Sequence, residues 1–130
     1  MKQTKNIKDI LLFPFNGNAK EALTVIEDIN KNKQTWNILG FLDDDPKRLN
    51  EQFLDYEVVG GKNALIKYPE AYILAVPGRP DNYLKRKNII SSLQLEPSRF
   101  TSIVHPSAII ARDAAIGTNC LIMGNTVLST

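Results

Sequence analysis

Three short apolar runs occur in the first hundred residues, and each ends at turn-forming residues. They cover residues 10–13, 36–42 and 72–76, and short apolar runs bounded in this way are typical of buried strands. A brief strand is also expected at residues 56–59, and a last one at residues 100–104. The runs therefore predict a sheet that is covered on both faces.

Segments with helical spacing lie between these runs. Apolar residues three or four positions apart predict an amphipathic helix over residues 19–29, which either Asn16 or Asn18 could cap. A second helix is expected over residues 80–93, where Pro80 suits the first turn. Strands that alternate with helices predict βαβ units, and hence an α/β fold with a mainly parallel, twisted sheet.

The pattern changes after residue 103, where aliphatic residues recur at every sixth position. A small residue follows each of the first four by four positions. The aliphatic series is Val104, Ile110, Ile116, Ile122 and Leu128, and the small series is Ala108, Ala114, Cys120 and Thr126. A six-residue period predicts a parallel β-helix, with the aliphatic residues pointing inward. Two domains are therefore expected, at residues 1–103 and 104–130.

The second of these domains is short for a solenoid. If three hexads form one coil, residues 104–130 make about one and a half coils. Each repeat buries its face only by stacking on the next, so a solenoid of this length is marginal. We therefore expect the sequence to be part of a longer protein, and the native gene beyond codon 130 tests this expectation.

Composition and charge argue against several classes of partner and site. The 16 basic and 14 acidic side chains leave a net charge of +2, which is too even to favour nucleic acid as a partner. The N-terminal residues are polar, and no apolar run is long enough to span a membrane. One cysteine excludes an internal disulfide, and with one histidine it makes a metal site improbable. A cytoplasmic protein without a membrane partner is expected.

Several motifs together resemble one family. The junction at residues 102–108 with the hexads is the most specific part, and the segment at residues 40–46, Gly-Phe-Leu-Asp-Asp-Asp-Pro, is moderately specific. Residues 11–22 and the Val59–Gly60 pair add to the match. The sequence resembles the N-terminal part of the bacterial sugar O- and N-acyltransferases of the NeuD/PglD family, which act on sialic acid and bacillosamine.

The resemblance implies a fold and a function. The fold is a small Rossmann-like domain that holds a nucleotide sugar, usually a uridine diphosphate (UDP) amino sugar, followed by a left-handed β-helix. The full-length protein is expected to be a homotrimer that uses acetyl-coenzyme A as acyl donor in surface polysaccharide or glycan biosynthesis. The catalytic histidine and the coenzyme A site of the family lie further along the β-helix, so no catalytic residue and no bound cofactor are expected in these 130 residues.

Seven residues in three loops are the candidate ligands of the nucleotide sugar. All three loops follow predicted strands, and ligands of parallel sheets bind outside the carboxyl ends of the strands. Backbone N–H groups at a helix start favour phosphate, carboxylates accept hydrogen bonds from ribose or base, and a guanidinium pairs with phosphate. The candidates are Asn16, Gly17 and Asn18, then Asp43 and Asp44, then Gly78 and Arg79. The alternative roles are helix capping, a solvated acidic turn and an exposed loop arginine.

Two other reactive residues are assigned structural roles. His105 is the only histidine and has no orienting carboxylate nearby in sequence, so we do not expect it to be catalytic. Cys120 occupies a small hexad position and is expected to pack.

The first loop departs from the resembling family and leaves a second function open. The family loop is usually Gly-x-Gly-Gly-His, whereas residues 14–18 here are Pro-Phe-Asn-Gly-Asn with one glycine. Pro14 lacks a donor N–H, and fewer glycines restrict close approach to a diphosphate. A non-catalytic module with a decayed nucleotide pocket, which positions or assembles the β-helix, is therefore the alternative. A dinucleotide-dependent enzyme is disfavoured because the glycine fingerprint is absent.

Overall fold

The computed structural model describes residues 6–78 and 83–129. Its centre is a five-stranded sheet in the order β3-β4-β2-β1-β5, and the pairs β1–β2, β1–β5 and β2–β4 are parallel. The short β3 pairs antiparallel with β4 at the edge. The strands are β1 (Lys8–Phe13), β2 (Trp36–Leu42), β3 (Gln52–Phe53), β4 (Tyr56–Gly60) and β5 (Tyr72–Ala75). The expected α/β fold with a mostly parallel sheet is confirmed.

Alternation along β1 builds a core on each face of the sheet. Ile10 and Leu12 point to the face covered by the long helix α1 (Gly17–Asn32), while Leu11 and Phe13 point to the opposite face. Helix α1 buries Ala19, Ala22, Leu23 and Ile26, which share one side at helical spacing. The opposite face is covered by a 3-10 helix (Lys62–Lys67) and by the short α2 (Arg86–Ser91).

Gly40 explains the glycine of the Gly-Phe-Leu-Asp-Asp-Asp-Pro segment. Its φ of +139° is a conformation that other residues rarely adopt. A Cβ at this position would lie 2.6 Å from the carbonyl oxygen of Glu57 on β4. The pairing of β1 with β2 also shifts register here, where Leu11 faces Gly40. The glycine therefore lets β2 bend and pass close to β4 before its carboxyl end reaches the acidic loop.

The second helical region is shorter than predicted. A 3-10 turn (Tyr83–Lys85) leads into α2, which ends at Ser91, and residues 79–82 lie outside the described residues. The strand predicted at residues 100–104 is confirmed only in part, because a strand is present at Ile103–Val104 but it is not a strand of the main sheet. Phe100 forms a single parallel bridge with Ile73 of β5, and the chain then leaves the sheet.

The tail, residues 101–129, contains two separate parallel strand pairs. Strand β6 (Ile103–Val104) pairs with β8 (Leu121–Ile122), and β7 (Ile109–Ile110) pairs with β9 (Val127–Leu128). Partners lie 18 residues apart, as Ile103 and Leu121 do, which equals three hexads. The left-handed β-helix and the domain boundary after residue 103 stay predictions.

Several contacts join this tail to the sheet domain, and three of them involve buried or paired side chains. Ile103 is 1% exposed and belongs to the core that α1 covers. The Asn119 side chain accepts a hydrogen bond from the Ala75 N–H at 2.7 Å and donates one to the Ala75 carbonyl at 2.9 Å, as a neighbouring strand would. His105 contacts Asp28 of α1 through a hydrogen bond of 2.8 Å. Among the helices of residues 6–78 and 83–129, none is long and apolar enough to cross a membrane.

Candidate functional site

A cavity of about 540 Å³ opens at the carboxyl ends of β1 and β2. Ligands of parallel sheets bind at this end, so the cavity lies where the sequence predicts a site. Loop residues that follow β1, β2 and β5 line it, together with two basic side chains. The lining residues are Phe13, Pro14, Phe15, Asn16, Gly17, Lys20, Asp43, Asp44, Asp45, Arg48, Pro77 and Ile89.

Asn16 fixes the first loop at the start of α1. Its side-chain oxygen accepts a hydrogen bond from the Ala19 N–H at 2.8 Å, which is the geometry of a helix N-cap. Its side-chain nitrogen donates to the Val76 carbonyl at 3.0 Å, and Asn18 donates to the same carbonyl at 3.4 Å. Asn16, rather than Asn18, is therefore the cap, and both asparagines tie the first loop to the end of β5.

Gly17 leaves open space at the helix start. It is exposed, lines the cavity, and a Cβ added to it would meet no atom within 4 Å. Gly17 and Asn18 are the first two helical residues, whose N–H groups have no acceptor within a helix. Because the positive end of the helix dipole lies here, this corner of the cavity favours an anion.

Asp43 joins the first loop to the second. One carboxylate oxygen accepts a hydrogen bond from the Phe15 N–H at 3.1 Å, and the other accepts one from the Asp45 N–H at 2.9 Å. Asp43 is half-buried, so these bonds hold the carboxylate in a fixed orientation at the cavity wall. Each oxygen retains a lone pair that a ligand hydroxyl or N–H can use.

The two following aspartates are exposed and also line the cavity. One oxygen of Asp44 accepts from the Lys62 N–H at 2.9 Å, and one oxygen of Asp45 accepts from the Lys47 N–H at 3.0 Å. A second cavity of about 500 Å³ lies on the other side of this loop, towards Gly61. The acidic loop, residues 43–45, therefore lies between the two cavities and lines both of them.

The structure brings together most of the predicted site residues. Asn16, Gly17, Asp43 and Asp44 line the cavity. Asn18 and Gly78 do not line it but lie close to each other, since a Cβ added to Gly78 would be 3.1 Å from the Asn18 side-chain nitrogen. Arg79 lies outside the described residues. Ligand binding by these residues stays a prediction.

Two basic residues that line the cavity were not among the candidates predicted from the sequence. Lys20 extends from the first turn of α1, and its Nζ lies 4.8 Å from the centre of the Phe15 ring. Arg48 ends the 3-10 turn after the acidic loop, and its guanidinium carbon lies 5.7 Å from the same ring. The available signal was the position of Lys20 four residues after the cap, which places it over the loop. No comparable signal marks Arg48.

His105 has a carboxylate partner that the sequence does not reveal. Its Nε2 lies 2.8 Å from Asp28, and its Nδ1 lies 3.0 Å from the Ser107 backbone nitrogen. A backbone N–H can only donate, so Nδ1 accepts and the proton on Nε2 is donated to Asp28. The hydrogen bond from His105, helped by Lys31, holds the pKa of Asp28 below its ordinary value. The pair lies between α1 and the tail, away from the cavity.

No group of three or more His, Cys, Asp or Glu side chains within residues 6–78 and 83–129 is placed to hold a metal ion. The polar groups of the cavity are instead suited to an organic anion with hydroxyl groups, since cations, carboxylates and helix N–H groups all face it.

Solved structures of acetyltransferases share this fold. A perosamine N-acetyltransferase mutant from Caulobacter crescentus, in complex with CoA and GDP-perosamine, matches with a TM-score of 0.68 and 19% identity over 95% of this chain and 54% of its own. The acetyltransferase domain of PglB from Neisseria gonorrhoeae matches with a TM-score of 0.64 and 20% identity over 92% of this chain and 55% of its own. The chain spans about half the length of these structures. No curated protein sequence matches it significantly.

A family model also matches the sequence directly. The model describes the PglD N-terminal domain, and it matches residues 17–93. That range is more than half of the chain, and it contains α1, the acidic loop and β5. The chain therefore belongs to the PglD N-terminal domain family, the N-terminal part of the NeuD/PglD group that its motifs resemble.

Proposed function

We propose that this chain is the acceptor-binding domain of an acetyl-coenzyme A-dependent sugar O- or N-acyltransferase, and that its acceptor is a nucleotide sugar. The observation that carries the proposal is the cavity at the carboxyl ends of β1 and β2, in a chain of the PglD N-terminal domain family. One structural neighbour binds GDP-perosamine and CoA, which is the same pair of ligand classes. We propose a UDP sugar as the ligand here.

The chemistry of the cavity supports a nucleotide sugar. Its volume of about 540 Å³ is within the usual range for small-ligand sites. The cations and the start of α1 face one side and suit a diphosphate, while the carboxylates of Asp43 and Asp44 suit ribose hydroxyls or a base N–H. No side chain in this part of the protein is assigned to the acyl transfer itself.

The tail is proposed to be the first part of a left-handed parallel β-helix, beginning at residue 104. The 18-residue pairing offset and the aliphatic hexads support this proposal. Ile110 and Leu128 are half-buried, while their neighbours Ile109 and Val127 are 64% exposed, as inward and outward positions require. The full-length protein is proposed to trimerise through this β-helix, to bind acetyl-coenzyme A there, and to act in glycan or polysaccharide biosynthesis in the cytoplasm.

Calorimetric titration of the 130-residue protein tests the acceptor-binding role. UDP and UDP-N-acetylglucosamine are the ligands, and adenosine is the control for unspecific binding. Asp44→Asn keeps the acceptor for the Lys62 N–H and removes the negative charge at the cavity wall. We expect saturable binding of the UDP compounds and weaker binding by Asp44→Asn. If the unchanged protein shows no heat with either UDP compound, and GDP is also silent, the proposal is wrong.

The alternative is a non-catalytic module that positions or assembles the β-helix. One observation favours it, because the Phe15 N–H and the Asn16 side chain, which could reach a ligand, bond to the protein instead. Self-association measured by analytical ultracentrifugation, together with the absence of nucleotide binding, would support this alternative.

A further inference from the structure

The first loop has few backbone donors left for a phosphate. Pro14 has no N–H, the Phe15 N–H bonds to Asp43, and the Ala19 N–H bonds to Asn16. The Lys20 N–H bonds to the Asn16 carbonyl. Only the start of α1, at Gly17, leaves room for close approach. A diphosphate in this cavity would therefore need side-chain donors in addition to the N–H groups at the start of α1.

Two side-chain cations stand where those donors are needed. Lys20 and Arg48 both line the cavity, and both lie over the Phe15 ring, at 4.8 Å and 5.7 Å from its centre. The ring is only 4% exposed and packs edge-on against Phe41 with centroids 4.9 Å apart, so it cannot easily move. A fixed aromatic face holds a cation within about 6 Å by electrostatic attraction. The two positive charges therefore lie next to the same part of the cavity.

We propose that Lys20 and Arg48 form a two-cation clamp on the diphosphate of the bound nucleotide sugar, with Phe15 as its support. The proposal rests on the proposed acceptor-binding function and names the chemical group that this side of the cavity recognises. Lys20 supplies a point charge, whereas the planar guanidinium of Arg48 can donate two parallel hydrogen bonds to phosphate oxygens. The N-terminus of α1 lies on the same side and adds to the attraction.

The carboxylates of the cavity keep their negative charge, but backbone N–H groups hold them in place and the two cations offset part of that charge. Asp43 uses both carboxylate oxygens for backbone N–H groups, and Asp44 and Asp45 each use one. Arg48 also contacts Glu51 at 3.3 Å, but the two side chains are 37% and 48% exposed, and such a pair is weak in solvent. A phosphate can therefore replace Glu51 as the partner of the Arg48 guanidinium.

The test compares ligands with and without a diphosphate. Binding of UDP, uridine and inorganic pyrophosphate is measured for the unchanged protein, Lys20→Gln, Arg48→Gln and Arg48→Lys. Lys47→Gln is the matched control, because Lys47 is exposed in the same 3-10 turn and does not line the cavity. Thermal unfolding of each variant checks that it is folded.

We expect each glutamine variant to weaken UDP and pyrophosphate binding about tenfold and to leave uridine binding unchanged, since a hydrogen bond to a charged group is lost. Arg48→Lys should recover part of the loss, and Lys47→Gln should match the unchanged protein. UDP binding that is unaltered in both glutamine variants overturns the clamp and leaves the acceptor-binding function standing. An unchanged protein that binds none of these ligands, and neither UDP-N-acetylglucosamine nor GDP, overturns both.

Discussion

Replacing Asn119 by glycine tests how the tail is held on the sheet. The Asn119 side chain pairs with both backbone groups of Ala75 on the edge strand β5, at 2.7 Å and 2.9 Å. Its φ is +58°, so the backbone is in the left-handed region. Glycine adopts that conformation without steric cost, so Asn119→Gly removes the two hydrogen bonds and leaves the backbone unstrained.

The magnitude follows from the bonds that are lost. A typical intramolecular hydrogen bond contributes about 1 kcal/mol, so Asn119→Gly should lower the free energy of docking the tail by about 2 kcal/mol. Asn119→Ala adds the cost of a left-handed conformation, roughly 1 kcal/mol more. Asn125 has a φ of +61° one hexad later, and among the described residues its side chain has no hydrogen-bond partner. Asn125→Gly is therefore the matched control, expected to stay within about 0.5 kcal/mol.

Amide hydrogen exchange at Ala75 is the decisive assay, since it reports local opening that global unfolding can miss. Exchange of this N–H should be about thirtyfold faster in Asn119→Gly, the factor that corresponds to about 2 kcal/mol. Urea unfolding should show a lower midpoint in the same variant if the tail and sheet unfold together. Equal exchange rates in Asn119→Gly and Asn125→Gly would refute the reasoning, because the side-chain bonds would then contribute nothing.

Three further predictions concern a strand glycine, the cap of α1 and the Asp28–His105 pair. Gly40→Ala should destabilise the protein by about 3 kcal/mol or abolish folding, because its Cβ would lie 2.6 Å from a carbonyl oxygen of β4. Gly17→Ala is the control in the same thermal unfolding series, and it should be nearly neutral because the space around its Cβ is open. Asn16→Ala should cost about 2 kcal/mol by urea unfolding, from the lost N-cap and the lost bond to the end of β5, and an unaltered midpoint would contradict the capping role. The pKa of Asp28 is lowered in the folded state, chiefly by the hydrogen bond from His105, so its stabilising contribution is complete above the unfolded value near 3.8 and is lost as the pH falls through the lower folded value. Unfolding free energies measured from pH 5 down to pH 2 should therefore fall less steeply in Asp28→Asn, and identical slopes would contradict the assignment.

The central strands and the first helix were predictable because their signals are local. Trp36–Leu42 is a mostly apolar run that is rich in strand-forming residues, and the structure gives β2 the predicted bounds. The spacing of Ala22, Leu23 and Ile26 predicts α1, although the helix extends two residues earlier and three later than expected. Polar residues at helix ends carry little periodic signal, so boundaries are less certain than the element itself.

The strand expected at residues 100–104 was confirmed only at Ile103–Val104, for a physical reason. The segment is apolar enough for a central strand, but Ile103 and Val104 pair with Leu121 and Ile122, 18 residues later. A short apolar run does not reveal its partner, because pairing depends on where the rest of the chain folds. The hexad series carried the missing information, since it begins at Val104 and not at Phe100.

The sequence indicated which loops form the site, but not which basic side chains line it. Asp43 and Asn16 follow strand ends, and that position alone placed them at the cavity. Lys20 and Arg48 lie inside helical turns, where a basic residue is most often solvated. Only the spacing of Lys20 from the cap indicated a position near the first loop, and nothing in the sequence marked Arg48. The Asp28–His105 pair joins residues 77 positions apart, which sequence spacing cannot show.

Asp43 has two roles that one substitution cannot separate. Its carboxylate accepts a backbone N–H on each oxygen, one of them from Phe15 in the first loop, so even Asp43→Asn would turn an amide N–H against a donor. Weaker nucleotide binding in that variant could then arise from a displaced loop as well as from a lost ligand contact. Asp44→Asn avoids this difficulty, because only one oxygen is used and the amide oxygen can replace it. Lost binding in Asp44→Asn at unchanged stability therefore identifies a ligand contact, whereas Asp43→Asn should lose both binding and stability, because Asp43 holds the first loop against the second.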